Sequence, residues 1–164
     1  MELKVIRRLF VIPARIIVKE QETKEIFYYG RRKFFTVTDK IKIKNAEKEK
    51  ILLIKKSYMK IPAYREIFDL ENKHEPKYII KYKPLSWLEI HVDTSDGEIV
   101  GKMVSPMNFE IVKNEQLIGK VHFDFHIFRH VLTLEVFDEK ELEILSLIGI
   151  CLERSHINVN EYFN

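Results

Sequence analysis

Cys151 is the sole cysteine of the 164-residue chain. A single thiol excludes an internal disulfide framework and fits a reducing compartment. Glycine and proline number only 5 each, so no low-complexity linker divides the chain, which reads as one domain over residues 1–164. No apolar run approaches the roughly 18 to 20 residues that a membrane-spanning helix needs. The opening MELKVIRRLFVIPARIIVKE is interrupted by Lys4, Arg7, Arg8 and Arg15, which leaves no apolar stretch of signal-peptide type. Gly-rich phosphate loops, cysteine pairs and a plausible Ser/His/Asp order are all missing. The expectation is therefore a non-enzymatic protein without a cofactor or transmembrane segment, located in the cytoplasm or peripherally at a membrane.

What is present is apolar, basic in one half and strongly patterned. Apolar residues make up 46% of the chain and aromatics 12%, enough for a sizeable core. The net charge of +3 is unevenly spread. Residues 1–60 hold 17 Lys and Arg against 7 Asp and Glu, whereas residues 61–164 hold 11 against 18. Either basic and acidic strands attract one another in the fold, or the basic half forms a patch for an anionic partner; the first reading is the plainer one.

Period-two alternation runs through most of the chain. In DKIKIKN, Ile41 and Ile43 oppose Lys40, Lys42 and Lys44. LEIHVD, NFEIV and LTLEVF alternate likewise. VHFDFHI sets Val121, Phe123, Phe125 and Ile127 against His122, Asp124 and His126. VIRRLF, RIIVKE, EIFYYG, ILLIKKSY, AYREIFD and KYIIKY complete the expected strands. Turn signals such as Asn45-Ala46, Asp96-Gly97 and Asn114-Glu115 separate them. About a dozen short strands with one-sided alternation argue for an antiparallel sandwich or barrel. A weak repeat relates residues 41–69 to 109–138, and it reads either as two halves of one closed sheet or as chance similarity.

One segment breaks the pattern. After Asp138, an N-cap with Glu141 three residues on, comes LEILSLIGICL. At 100° per residue its apolar side chains point in nearly every direction, with only Ser146 and Gly149 as gaps. A helix apolar all round is buried on all sides. Its apolar core spans roughly 16 Å at 1.5 Å per residue, about half a bilayer's hydrocarbon thickness. A helix over 138–156, threaded through a closed barrel of strands, satisfies both facts.

These segments together resemble the LURP-one-related family of the tubby C-terminal-like superfamily, to which phospholipid scramblases are also similar. The resemblance rests on RIIVKE, IFYYGRRKFFTVTDKIKIKN, ILLIKKSYMKIPAYREIFD and LTLEVFDEKELEILSLIGICLERSHIN. It departs at NAEKEK, where relatives often turn on Asp-Gly or Asn-Gly, and fits loosely over residues 70–86. The fold it implies is a twelve-stranded closed antiparallel barrel around a central C-terminal helix.

Tubby domains bind phosphoinositide headgroups through Lys and Arg on a strand and neighbouring loop. The nearest match is Arg31, Arg32 and Lys33, with Lys40 and Lys42 close by; the plain alternative is a solvated basic loop. The expected partners are accordingly an anionic phospholipid surface or another protein, with nucleic acid disfavoured because no recognition helix is visible. A protein-interaction domain with no lipid ligand is the second reading, and a metal-dependent enzyme the third. For the third, His122, Asp124 and His126, with His130 nearby, are suitable ligands for zinc or iron. Evenly spaced ligands along one straight strand converge poorly, so a polar outer face is expected there instead. Asp93, Asp96 and Glu98 read as a hairpin turn, while Trp87 and Cys151 read as packing residues.

Overall fold

The computed structural model describes residues 1–8, 14–32, 40–56, 64–72, 74–83, 89–126 and 129–162, leaving aside the side chains of 125, 126 and 153–162. Lys33 and Trp87 lie outside the described residues. Twelve strands follow one another: β1 (Glu2–Arg8), β2 (Arg15–Glu20), β3 (Ile26–Arg32), β4 (Lys40–Lys44), β5 (Lys50–Lys56) and β6 (Tyr64–Asp69), then β7 (Tyr78–Tyr82), β8 (Glu89–Thr94), β9 (Gly97–Ser105), β10 (Asn108–Lys113), β11 (Gln116–His126) and β12 (Arg129–Val136). Each pairs antiparallel with its sequence neighbours, and β1 also pairs with β12, closing the sheet into a barrel. Closure leaves no exposed sheet edge.

Alternation decides which face each residue takes. Leu3, Val5, Ile16, Val18, Ile41, Ile43, Leu52, Ile54, Ile67, Ile80, Ile90 and Val92 all point inward and are buried. Lys40, Lys42 and Lys44, which alternate with Ile41 and Ile43, point outward, as the sequence pattern requires. The two similar segments form β4–β6 and β10–β12, six strands apart in a ring of twelve.

Eleven of the strands were legible in the sequence; β9 was not. Its inward positions are Ile99, Gly101 and Met103, so a glycine stands where the pattern calls for an apolar side chain. A Cβ at Gly101 would lie 2.3 Å from Cε1 of Phe109 and 2.8 Å from Cγ1 of Ile90. The Phe109 ring occupies the space that the missing side chain leaves, and the period disappears from the sequence.

The chain then enters the barrel. A single 3₁₀ turn (Glu139–Glu141) leads into α1 (Leu142–Tyr162), later in both start and end than the expected 138–156. Asp138 caps this turn by accepting from the backbone N–H of Lys140 at 3.0 Å. The capping-box partner expected at Glu141 bonds elsewhere, to Lys113. The first α-helical residue is Leu142. From Ile144 to Leu152 every residue is buried, and the helix packs on β1, β11 and β12 within the barrel's apolar core. Gly149 lets the helix approach β1: a Cβ there would stand 3.2 Å from Cγ2 of Val5.

Candidate functional site: a basic groove on the outer wall

A meander keeps sequence neighbours adjacent in space, so the basic N-terminal part of the chain becomes one continuous arc of the wall, β2 to β5. Register then sorts its cations. Arg15 on β2, Arg31 on β3 and Lys42 on β4 are direct cross-strand partners and form a row on the outer face. Side chains directly opposite on neighbouring strands lie about 5 Å apart, and like charges so placed repel. One step along, Ile17, Tyr29 and Lys44 make the next row. Together Arg15, Ile17, Tyr29, Arg31, Lys44 and Lys48 line an open groove of about 360 Å³. Among the described residues, no carboxylate pairs with Arg15, Arg31, Lys44 or Lys48.

Lys48 reaches the groove from the β4–β5 turn. Its backbone sits at φ 65°, the left-handed region that favours glycine or asparagine. The turn is held by Asn45: its Nδ2 donates to Glu49 Oε2 at 3.1 Å, and its Oδ1 accepts from the Glu49 N–H at 2.9 Å. NAEKEK is thus a built turn that presents a lysine, in place of an Asn-Gly turn that would present none.

Of the residues expected to gather on an anion, Arg31 lines the groove and Lys42 stands beside Arg31 on the same face. Lys40 lies one step further along β4, opposite Lys55. Arg32 is separated from Arg31. The strand continues through both residues, so Arg32 shares the face of Gly30, whose missing Cβ would point at the core residues Ile16, Ile41 and Ile43. A loop would have let consecutive cations converge; an extended strand alternates them. Tyr29, one of the aromatics that flank this basic segment in the sequence, lines the groove, whereas Arg15 and Lys48 were missed because register and a turn bring them to Arg31 from elsewhere in the chain.

The histidine–aspartate strand is an outer face. His122 is exposed, with Nδ1 2.9 Å from Asn108 Oδ1 and Nε2 3.4 Å from Asp124. His130 falls on the opposite, inward face of β12, and the side chain of His126 lies outside the described residues. Among the described residues, no three His, Cys, Asp or Glu side chains are arranged to hold a metal ion.

The barrel mouth at the helix start is polar and self-paired. Lys113, on the inward face of β10, donates to Glu141 at 2.5 Å and to Asp96 at 2.8 Å. Burial opposes the Lys113 charge, yet the two carboxylates outweigh it and hold its pKa above the ordinary lysine range. The hydrogen bond from Lys113, and then that from Thr94, hold the Asp96 carboxyl below its usual range. Asp96 therefore serves the hairpin and this ion pair. Tyr78 donates to Glu143 at 3.1 Å; burial and then the Glu143 charge push its phenol pKa upward. Lys77 pairs with the same carboxylate at 2.6 Å.

Cys151 is buried in the helix, and desolvation raises its thiol pKa, which opposes thiolate formation.

No protein-family model, curated protein or solved structure matches the chain. The groove's chemistry must therefore stand on its own geometry. No helix among the described residues is long and apolar enough to cross a membrane.

Proposed function

We propose that the protein is a non-enzymatic binding domain that docks on phosphate-bearing anionic surfaces, with a phospholipid headgroup seated in the groove between β2, β3 and β4. The observation that carries this reading is the cross-strand row Arg15–Arg31–Lys42, flanked by Lys44 and Lys48. Repulsion between the directly opposed Arg15 and Arg31 is a cost that an anion removes. Two arginine forks can each take two phosphate oxygens, while the lysines act as point charges. Tyr29 adds an aromatic side chain to the groove lining. The tubby-like family that the sequence resembles offers a precedent for headgroup binding, and the basic arc gives this chain its own means.

Co-sedimentation with vesicles tests the proposal. Wild-type protein should pellet with phosphatidylcholine vesicles containing an anionic phospholipid, less so as salt rises. Arg15→Gln combined with Arg31→Gln should lose most of that binding. Failure of the wild type to pellet at low ionic strength would remove the lipid reading and leave a protein-interaction domain as its successor.

A further inference from the structure

The helix does not fill the mouth at which it enters the barrel. It packs on β1, β11 and β12, and beside its first turn a cleft of about 560 Å³ opens toward β7, the β8–β9 turn and β10. That volume falls within the roughly 300–1,000 Å³ of small-molecule sites. Buried Ile144 and half-buried Tyr78 give the cleft an apolar part. Most of the remaining lining is charged, with three lysines against four carboxylates. One of the four, Asp93, is already paired with Lys81 on the outer wall, so the cleft is close to neutral.

Two ion pairs define it. Lys113 bonds Glu141 at the end of the 3₁₀ turn, and Lys77 pairs with Glu143 in the first turn of α1. Tyr78 donates to the same Glu143 oxygen and fixes that carboxylate. Lys113 is 8% exposed, so its ammonium is held in the cleft wall. Among the described residues, every polar contact of the two glutamates falls on Oε1, which leaves each Oε2 an open acceptor. Lys113 uses two of its three N–H groups, on Asp96 and Glu141, and Lys77 uses one on Glu143. Each pair thus keeps a donor beside an acceptor. A free ion would satisfy one half of each pair and meet like charge in the other. A hydroxyl satisfies both, since it accepts from the ammonium and donates to the carboxylate. Glu141 and Glu143 are two residues apart, which lets both pairs reach one molecule. We propose that this cleft binds a neutral polyhydroxylated molecule of mono- or disaccharide size, a sugar or cyclitol. The Lys113–Glu141 and Lys77–Glu143 pairs each hold a hydroxyl, and Tyr78 positions Glu143. The cleft shares no lining residue with the outer groove, so it stands independently of lipid docking.

Ligand-observed saturation-transfer NMR on the full chain tests the site with free glucose, galactose, mannose, myo-inositol, sucrose and maltose. A glycan array tests sugars as chain ends. Polyols stabilise proteins generally by exclusion from their surfaces, so the readout is saturable transfer and not a melting temperature. At least one sugar or cyclitol should bind wild type saturably. Lys77→Met, at a partly exposed position, should weaken that binding about tenfold or more, the loss of one charge-assisted hydrogen bond. Lys77→Arg should keep most of it. Ser95→Trp, at an exposed turn position that lines the cleft, should block it with both ion pairs intact. Arg15→Gln/Arg31→Gln should bind as wild type does. Binding of the free compounds assigns a small soluble ligand, and binding on the array alone assigns a glycan chain end. No saturable binding in either format overturns the inference, as does saturable binding of putrescine, free glutamate or inorganic phosphate with none of any polyol. Equal binding by wild type and the folded Lys77→Met and Ser95→Trp proteins also overturns it, because the sugar then sits elsewhere.

Discussion

The ring of Phe109 stands where Gly101 would carry its side chain: a Cβ at Gly101 would lie 2.3 Å from Cε1 and 3.0 Å from Cζ. One residue is large because the other is absent. Phe109 is 1% exposed and Ile90 borders the same space, so neither can retreat into solvent. Gly101→Ala should therefore destabilise the protein by about 1–3 kcal/mol, the usual cost of overpacking a core. Phe109→Leu in the Gly101→Ala background should recover part of that loss. Denaturant unfolding of the four proteins of this cycle measures the coupling; strict additivity would show that the two residues do not share the space.

The buried helix offers two adjacent positions with opposite expectations. Leu145 is fully buried, and Leu145→Ala should cost about 2–5 kcal/mol through the cavity it leaves. Ser146 is equally buried, but its Oγ finds no hydrogen-bond partner among the described residues. Ser146→Ala removes an unsatisfied polar group and should be neutral or stabilising by about 1 kcal/mol. A marked loss of stability in Ser146→Ala would mean that the hydroxyl has a partner in solution.

Lys113 ties the β8–β9 turn and β10 to the helix start. Lys113→Met should lower stability by about 1–2 kcal/mol, a modest figure because Asp96 is largely exposed. The pH dependence gives a sharper test. A carboxyl held below its unfolded pKa stabilises the fold above that value and loses the contribution as pH falls through the folded one. Wild-type stability should therefore decline as pH drops below about 4, the ordinary aspartate value. In Lys113→Met the Asp96 share of that decline should disappear, visible as a flatter acid limb in urea midpoints against pH.

Lys48 separates binding from stability. Its φ of 65° costs a lysine more than a glycine, while its backbone N–H bond to Asn45 O at 3.0 Å survives substitution. Lys48→Gly should keep or slightly raise the melting temperature and at the same time weaken vesicle binding by the protein. Unchanged pelleting would remove Lys48 from the groove's working set.

The sequence alone determined the barrel and its plug. Strict alternation, as in Lys40 to Lys44, can be satisfied only by a strand with one wet face. An eleven-residue stretch apolar in every direction calls for burial on all sides, and a sheet closed around a rod satisfies both. Tertiary structure decided the rest, because register is not written in any one strand. Pairing brought Arg15, Arg31 and Lys42 into one row from three segments, while pleating sent Arg32 to the inside although it follows Arg31 directly. It also hid β9, whose missing side chain at Gly101 is supplied by Phe109 on the next strand. Local patterns record which face a residue needs. Which neighbours it meets there depends on how the strands are set against one another, and that is fixed only when the sheet closes.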